Sequence, residues 1–251
     1  MLFVFSFAQQ HKDEFYSNLN NAKSFHGSNT DSAHFYANKA IDFGRNCEND
    51  TMVAEAQNVA ATIYTSTGQN EKALSLFKES GEVFSSYNLE ISTAKVYNNI
   101  GIVFTYLDRY DSALVYIFKA LDIYENLNDT AAMLYPIMAI AACFTKMEEY
   151  HKSLAYNQNA YKLATNVGND YMSYEILNNI GLNYRSLNNP DSALICFDSY
   201  LEYQLHNPNP YSLGVAYNNL GLVFFDQNNN QKAIDNYKKS MENFNAINHR
   251  W

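Results

Sequence analysis

Apolar residues recur at i, i+3, i+4 and i+7 along most of the chain, as in Tyr97, Ile100, Gly101 and Phe104, which form one face of a 3.6-residue helix. Beyond a polar break the same spacing returns in Ala113, Ile117, Ala120, Leu121 and Tyr124. Polar stretches (TGQNEK, LDRYDS, MEEYHK, LNNPDS, QNNNQK) separate such segments, so the pattern predicts amphipathic helices joined by short turns. Asp31, Asp111 and Asp191 stand just before alanine-led segments, where an Asp side chain can accept the orphan N–H groups of a helix start. Pro208 and Pro210 are expected to stop one helix. Pro136 kinks its helix if that helix opens near Thr130 and is harmless if it opens near Tyr135.

Shifting the chain by 40 residues against itself aligns nearly all of it. A small-residue column runs Ala61, Gly101, Ala141, Gly181, Gly221, and three residues on an aromatic column runs Tyr64, Phe104, Phe144, Tyr184, Phe224. Twelve residues past the small column stand Ala33, Ala73, Ala113, Ser153, Ala193 and Ala233. A later small column, Ala40, Ser80, Ala120, Ala160 and Ser240, has Tyr200 as its exception. Six helix–turn–helix units follow, near 14–53, 54–93, 94–133, 134–173, 174–213 and 214–251. A mid-helix glycine costs about 1 kcal/mol against alanine. Its acceptance at Gly101, Gly181 and Gly221 implies close helix approach there.

The order small–x–x–aromatic, then alanine at twelve and a further small residue seven later, resembles the tetratricopeptide repeat family. The period of 40 and the motif NNIG or NNLG are similar to the extended repeats of kinesin light chains and of bacterial quorum-peptide regulators. They also resemble the repeat regions upstream of sensor kinases and DNA-binding regulators in Bacteroidetes-type bacteria. Departures are the longer period, Tyr97 or Tyr217 in place of an early Trp, and no closing Pro. Unit one is the weakest, with Asn21 and Ser24 in the small and aromatic columns. The resemblance implies an all-α, right-handed superhelical solenoid of about six repeats.

Composition narrows the function. Apolar residues make up 47%, enough for a packed chain. A net charge of −9 with 17 Lys+Arg argues against a nucleic-acid surface. Cys47, Cys143 and Cys196 are unpaired in spacing and read as small buried side chains, with neither a disulfide framework nor a metal site. The histidines share no column, and no HExxH, GxSxG, GxGxxG or Walker motif occurs. No enzyme and no cofactor is expected.

Residues 1–12 are read as a signal-peptide remnant or an N-terminal segment, from the short apolar run Leu2–Ala8 before Gln9 and Gln10. An exported, periplasmic location follows from the first reading and a cytoplasmic one from the second. The chain stops where a seventh first helix would open. It is therefore expected to be part of a longer protein with an output domain downstream, a kinase or DNA-binding module.

Asparagine is common, 34 of 251 residues, but its placement is not uniform. Three residues before the small column stand Asn18, Asn58, Asn98, Met138, Asn178 and Asn218; two before it stand Leu19, Val59, Asn99, Ala139, Asn179 and Asn219. Eight of these twelve are asparagine, where composition alone supplies about two. At about 100° per residue, Asn98 and Asn99 fall opposite the core face, on the inner wall of a stacked solenoid. There an amide ladder can pair with the backbone of an extended peptide, the role the resemblance implies for asparagines at this register. The alternative is that each amide bridges neighbouring first helices or bonds loop backbone. Lys95, Tyr106, Tyr135 and Arg185 belong to the same wall, and Met138 with Ala139 makes an apolar gap in the ladder.

The reading is a non-catalytic scaffold, the ligand-sensing repeat region of a bacterial signalling protein, holding a peptide or protein segment in its groove. Two alternatives stay open: a cytoplasmic regulator docking a response regulator or another protein, and a self-assembly module that forms oligomers.

Overall fold

A computed structural model describes residues 2–248, with side chains from Lys12 to Ile247. The described residues form twelve α-helices and no strand. In chain order they are α1 (Leu2–Phe25), α2 (Thr30–Asn46), α3 (Asp50–Ser66), α4 (Asn70–Ser86), α5 (Glu90–Tyr106) and α6 (Tyr110–Asn126). There follow α7 (Leu134–Lys146), α8 (Tyr150–Asn166), α9 (Asp170–Ser186), α10 (Pro190–His206), α11 (Pro210–Asp226) and α12 (Asn230–Asn248). They fall into two compact units, Met1–Asp129 and Thr130–Trp251, each a stack of three helix pairs. The expected signal-peptide remnant falls mostly on residues whose side chains are outside the described set. Among the described residues no helix is long and apolar enough to cross a membrane.

The 40-residue period has a backbone cause. Most helices are 17 residues long and are followed by a three-residue turn. The turn is a Schellman cap: in the first, Glu48 N–H donates to Arg45 C=O at 2.9 Å and Asn49 N–H to Gly44 C=O at 3.0 Å. Its left-handed residue recurs every twenty positions, at Glu48, Gly68, Asn88, Asp108, Asn128, Glu148, Gly168, Asn188 and Asn228. Position 208 breaks the series because proline cannot adopt positive φ. There α10 ends with the Asn207 N–H to Tyr203 C=O bond instead.

Helix starts correct the expected caps. Asp31 and Asp191 lie inside their helices; the capping side chains are Asn29, accepting from Ser32 N–H at 2.9 Å, and Asn189, accepting from Ser192 N–H at 3.2 Å. The acids still favour the positive end of the helix dipole from the first turn. Asp111 also lies inside its helix, behind Arg109, which makes no side-chain cap bond. First helices open earlier than the repeat columns imply, at Asp50, Glu90, Asp170 and Pro210. In α7 the slot at 130–133 is turn, and the helix begins at Leu134. Pro136 thus sits in the first turn, where its missing N–H is not needed and no kink results.

Packing follows the columns. Ala33, Ala37 and Ala40 of α2 are fully buried with Phe15 and Leu19 of α1 and Ala60 and Ile63 of α3. A Cβ placed on Gly181 would lie 2.6 Å from Phe197 Cε1, one on Gly221 2.6 Å from Tyr237 Cε1, and one on Gly101 against Ile117. These are the close approaches expected of the small column. Tyr200, the exception, is buried and donates its hydroxyl to Glu175 Oε1 at 3.0 Å. Aromatic-column rings are roofed by lysines, with Lys72 over Tyr64, Lys152 over Phe144 and Lys232 over Phe224. Cys143 and Cys196 are buried as expected, but Cys47 is exposed, because it is the C-cap residue of α2.

Candidate functional site

The asparagine columns land on the first helices α3, α5, α9 and α11, but not all of them face an open wall. Asn98, Asn178 and Asn219 are buried, while Asn58, Asn99, Asn179 and Asn218 are half-buried. This corrects the expectation that the pair opposite the core lies open. In a stack, a first helix has other first helices beside it as well as its own second helix, and they cover much of that arc.

The buried amides then differ by unit. In the second unit Asn219 of α11 donates its Nδ2–H to Asn178 Oδ1 of α9 at 2.7 Å, the bridge between neighbouring first helices. In the first unit the carboxamide oxygens of Asn58 and Asn98 are buried with no hydrogen-bond partner. Leaving such an acceptor unmet costs about 1–3 kcal/mol.

Two cavities lie along α3 and α5 in the first unit, one lined by Asn58 and the other by Asn99, and Asn98 lines neither. One, of about 610 Å³, lies toward the C-terminal ends of α3 and α5 and is lined by Thr62, Ser66, Phe77, Asn99, Ile102 and Tyr106 among others. Its surface is mainly apolar, and Tyr106 is 57% exposed. The other, of about 560 Å³, lies toward their N-terminal ends and brings Asn58 and Lys95 together with Lys12, Tyr16, Lys23 and Glu55. Burial raises the Glu55 carboxyl above its ordinary pKa, with Lys23 pulling it back, and the Glu55 charge raises Tyr16. Lys12 and Lys23 escaped sequence reasoning because α1 departs from the columns, so nothing in the repeat pattern placed them.

The remaining expected residues are dispersed. Asn179 lines a smaller cavity of about 180 Å³ in the second unit with Met138, Ala142, Lys146, Asn157 and Leu182. Arg185 is not a free cation: it holds Asp226 in a fork at 2.6 and 3.3 Å. Tyr135 is 60% exposed and lines none of these cavities.

In the larger cavity His26 Nε2 lies 2.9 Å from Ser66 Oγ. The serine hydroxyl also lies 2.8 Å from Ile63 C=O, which competes with the histidine for its single proton. Among the described residues no group of three or more His, Cys, Asp or Glu could hold a metal ion.

The tetratricopeptide repeat model matches residues 50–126 and 129–205, and a second model of that repeat matches 215–244. The chain belongs to the tetratricopeptide repeat family. It is similar to the regulatory protein RapK of Bacillus subtilis (strain 168), at 23% identity over 176 residues, 68% of this chain and 46% of that protein. The chain thus spans about half the length of that curated relative. Among solved structures, aspartyl phosphate phosphatase F of Bacillus subtilis superposes with a TM-score of 0.71 at 16% identity, covering 94% of this chain and 60% of that one. The Rap conjugation gene regulator of plasmid pLS20, in complex with the Phr* peptide, does so with 0.71 at 14% identity, covering 95% and 76%. At these identities the likeness is one of fold.

Proposed function

We propose that this chain is a non-catalytic binding scaffold of a bacterial signalling protein, and that the first unit holds an extended peptide or protein segment along α3 and α5. One observation carries the reading. Asn58 and Asn98 each carry a carboxamide oxygen that the chain leaves without a donor; Asn58 lines the 560 Å³ cavity, and Asn98 is the buried neighbour of Asn99, which lines the 610 Å³ one. Backbone N–H groups of an extended segment are such donors, reached by a turn of the carboxamide about χ2. Asn99 adds a third amide at the larger cavity.

From Lys95 to Tyr106 the rise along α5 is about 16 Å, which an extended segment of about five residues spans. The regulatory name of RapK and the peptide seated on the pLS20 Rap regulator support a regulatory, segment-binding role. The phosphatase among the fold relatives is the contrary precedent. Asn178 and Asn219, already bonded to each other, are assigned to structure rather than ligand.

The test is selection of a random heptapeptide library on the immobilised chain, followed by fluorescence anisotropy with the enriched peptides. Asn58→Ala and Asn98→Ala should each weaken binding about tenfold, the value of roughly one well-made hydrogen bond, with an unchanged melting temperature. Parallel losses of binding and stability would assign these amides to the fold. A library with no enriched member would sink the reading.

A further inference from the structure

We propose that the seam between the α1–α2 pair and α3 is an acid-sensitive joint, in which a charge on His34 parts the first pair from the stack. Both cavities of the first unit take part of their walls from that pair and its turn, Lys12, Tyr16 and Lys23 in one and His26 in the other. Acid opening therefore dismantles both, and on the segment-binding reading above it releases the segment.

The repeat columns single out the residue. His34 stands where the other five units carry Leu74, Leu114, Leu154, Leu194 and Ile234. Its ring packs on Tyr64 of α3, with centroids 4.3 Å apart and planes inclined at 39°. The Nε2 atom is buried and has no hydrogen-bond partner among the described residues. The same seam buries Ala33 and Ala37 of α2 with Ala60 and Ile63 of α3, whose side chains offer no acceptor.

The two protonation states differ at that atom. A neutral imidazole can carry its proton on Nδ1 and leave Nε2 a bare lone pair, whereas an imidazolium must place a proton there. A charged donor buried without an acceptor is strongly disfavoured. Two charges act on the ring: Asp31, one turn earlier on α2, favours the charged form, and Lys72 of α4 opposes it. From α3 the facing group is the Tyr64 phenol, and no charged side chain of α1 or α3 is among those acting on His34. A tyrosine face attracts a cation, but this one is already roofed by Lys72, 5.4 Å from its centroid. Burial outweighs Asp31 and holds the ring below its ordinary pKa. A depressed histidine contributes stability that is present above the unfolded value, about 6.5, and is lost as pH falls through the folded value below it. His26 reaches the same seam, 2.9 Å from Ser66 Oγ, but it is exposed and partnered and so serves as the control.

The test is hydrogen–deuterium exchange of the intact chain at pH 7.5 and 5.5, read by mass spectrometry and corrected for the intrinsic rate of amide exchange. It needs no ligand. The opening equilibrium of α1 and α2 should rise severalfold on acidification, with a ceiling of about tenfold set by the ordinary histidine value. Helices of the second unit, as the internal reference, should show no such rise. His34→Leu, which restores the residue of the column, should remove the effect, and so should His34→Gln, neutral at both pH values. His26→Gln should keep it. In fluorescence anisotropy, a histidine-free peptide enriched on the chain should lose affinity by the same factor in the native sequence and not in His34→Leu.

Exchange in α1 and α2 that stays flat with pH, or that rises equally in His34→Leu, overturns the proposal. A rise that disappears in His26→Gln does so too. A rise that depends on His34, with enriched peptides bound equally well at both pH values, upholds the joint and overturns the placement of the segment on the first unit alone.

Discussion

Asn219 and Asn178, forty-one residues apart, meet at 2.7 Å between α11 and α9, both amides buried. The pair is self-satisfying: one carboxamide gives the proton that the other accepts. Asn178→Ala strands the Asn219 donor and is expected to cost about 1–3 kcal/mol in urea unfolding, whereas Asn98→Ala, whose oxygen has no partner, should cost less. A double-mutant cycle over Asn178 and Asn219 should show a coupling of about 1 kcal/mol. Additive losses would mean the bond contributes nothing.

Gly181→Ala sets helix propensity against packing. The methyl gains about 1 kcal/mol of propensity but enters within 3 Å of three carbons of the Phe197 ring, a fully buried side chain. Overpacking is expected to win, with a net loss of about 1–2 kcal/mol. Adding Phe197→Leu should recover part of it, and thermal melts of the single and double variants decide the matter.

In units two to six the column of Asn183 is otherwise filled by Ile63, Val103, Cys143 and Val223, all buried and apolar. Its Nδ2 donates to Asn179 C=O at 3.1 Å, but its Oδ1 is buried without a partner. Asn183→Val removes both polar atoms at nearly constant shape and should raise stability by about 1 kcal/mol. A lowered melting temperature would show that Oδ1 has a donor after all.

Glu175 is raised above its ordinary pKa by burial, against the lowering effect of its hydrogen bond from Tyr200. A carboxyl whose folded pKa is raised contributes stability that is fully present below the unfolded value, about 4.3, and is lost as pH rises through the folded value. The stability of the native sequence relative to Glu175→Gln should therefore fall as pH climbs from about 4 toward neutrality. Urea unfolding of both proteins at several pH values measures it. A difference that stays flat with pH would show that Glu175 titrates alike in both states.

The repeat columns carried most of the fold because each reports a contact made within one helix pair. Ala33, Ala73, Ala113, Ser153, Ala193 and Ala233 are all buried, and Gly181 meets Phe197 sixteen residues beyond it. The caps were legible only in part: Asp31 and Asp191 marked the right turns, but the capping side chains lie two residues earlier, at Asn29 and Asn189. The twenty-residue series of left-handed turn residues was present in the sequence as Gly, Asn, Asp or Glu at fixed spacing, with Pro208 as its break. The cavity of Lys12, Lys23, Glu55 and Lys95 was not legible, since α1 supplies two of its lysines from outside any column.

The sequence by itself determined that helices of one length pair antiparallel on a fixed ruler, since periodicity, small-residue columns and turn conformers are local in origin. It also determined that asparagine is concentrated at two positions of the first helix. Only the tertiary structure decided what each amide does. Asn178 is answered by Asn219, while Asn58 and Asn98 are left without a donor, because a side chain between helices depends on what the neighbouring helix brings beside it.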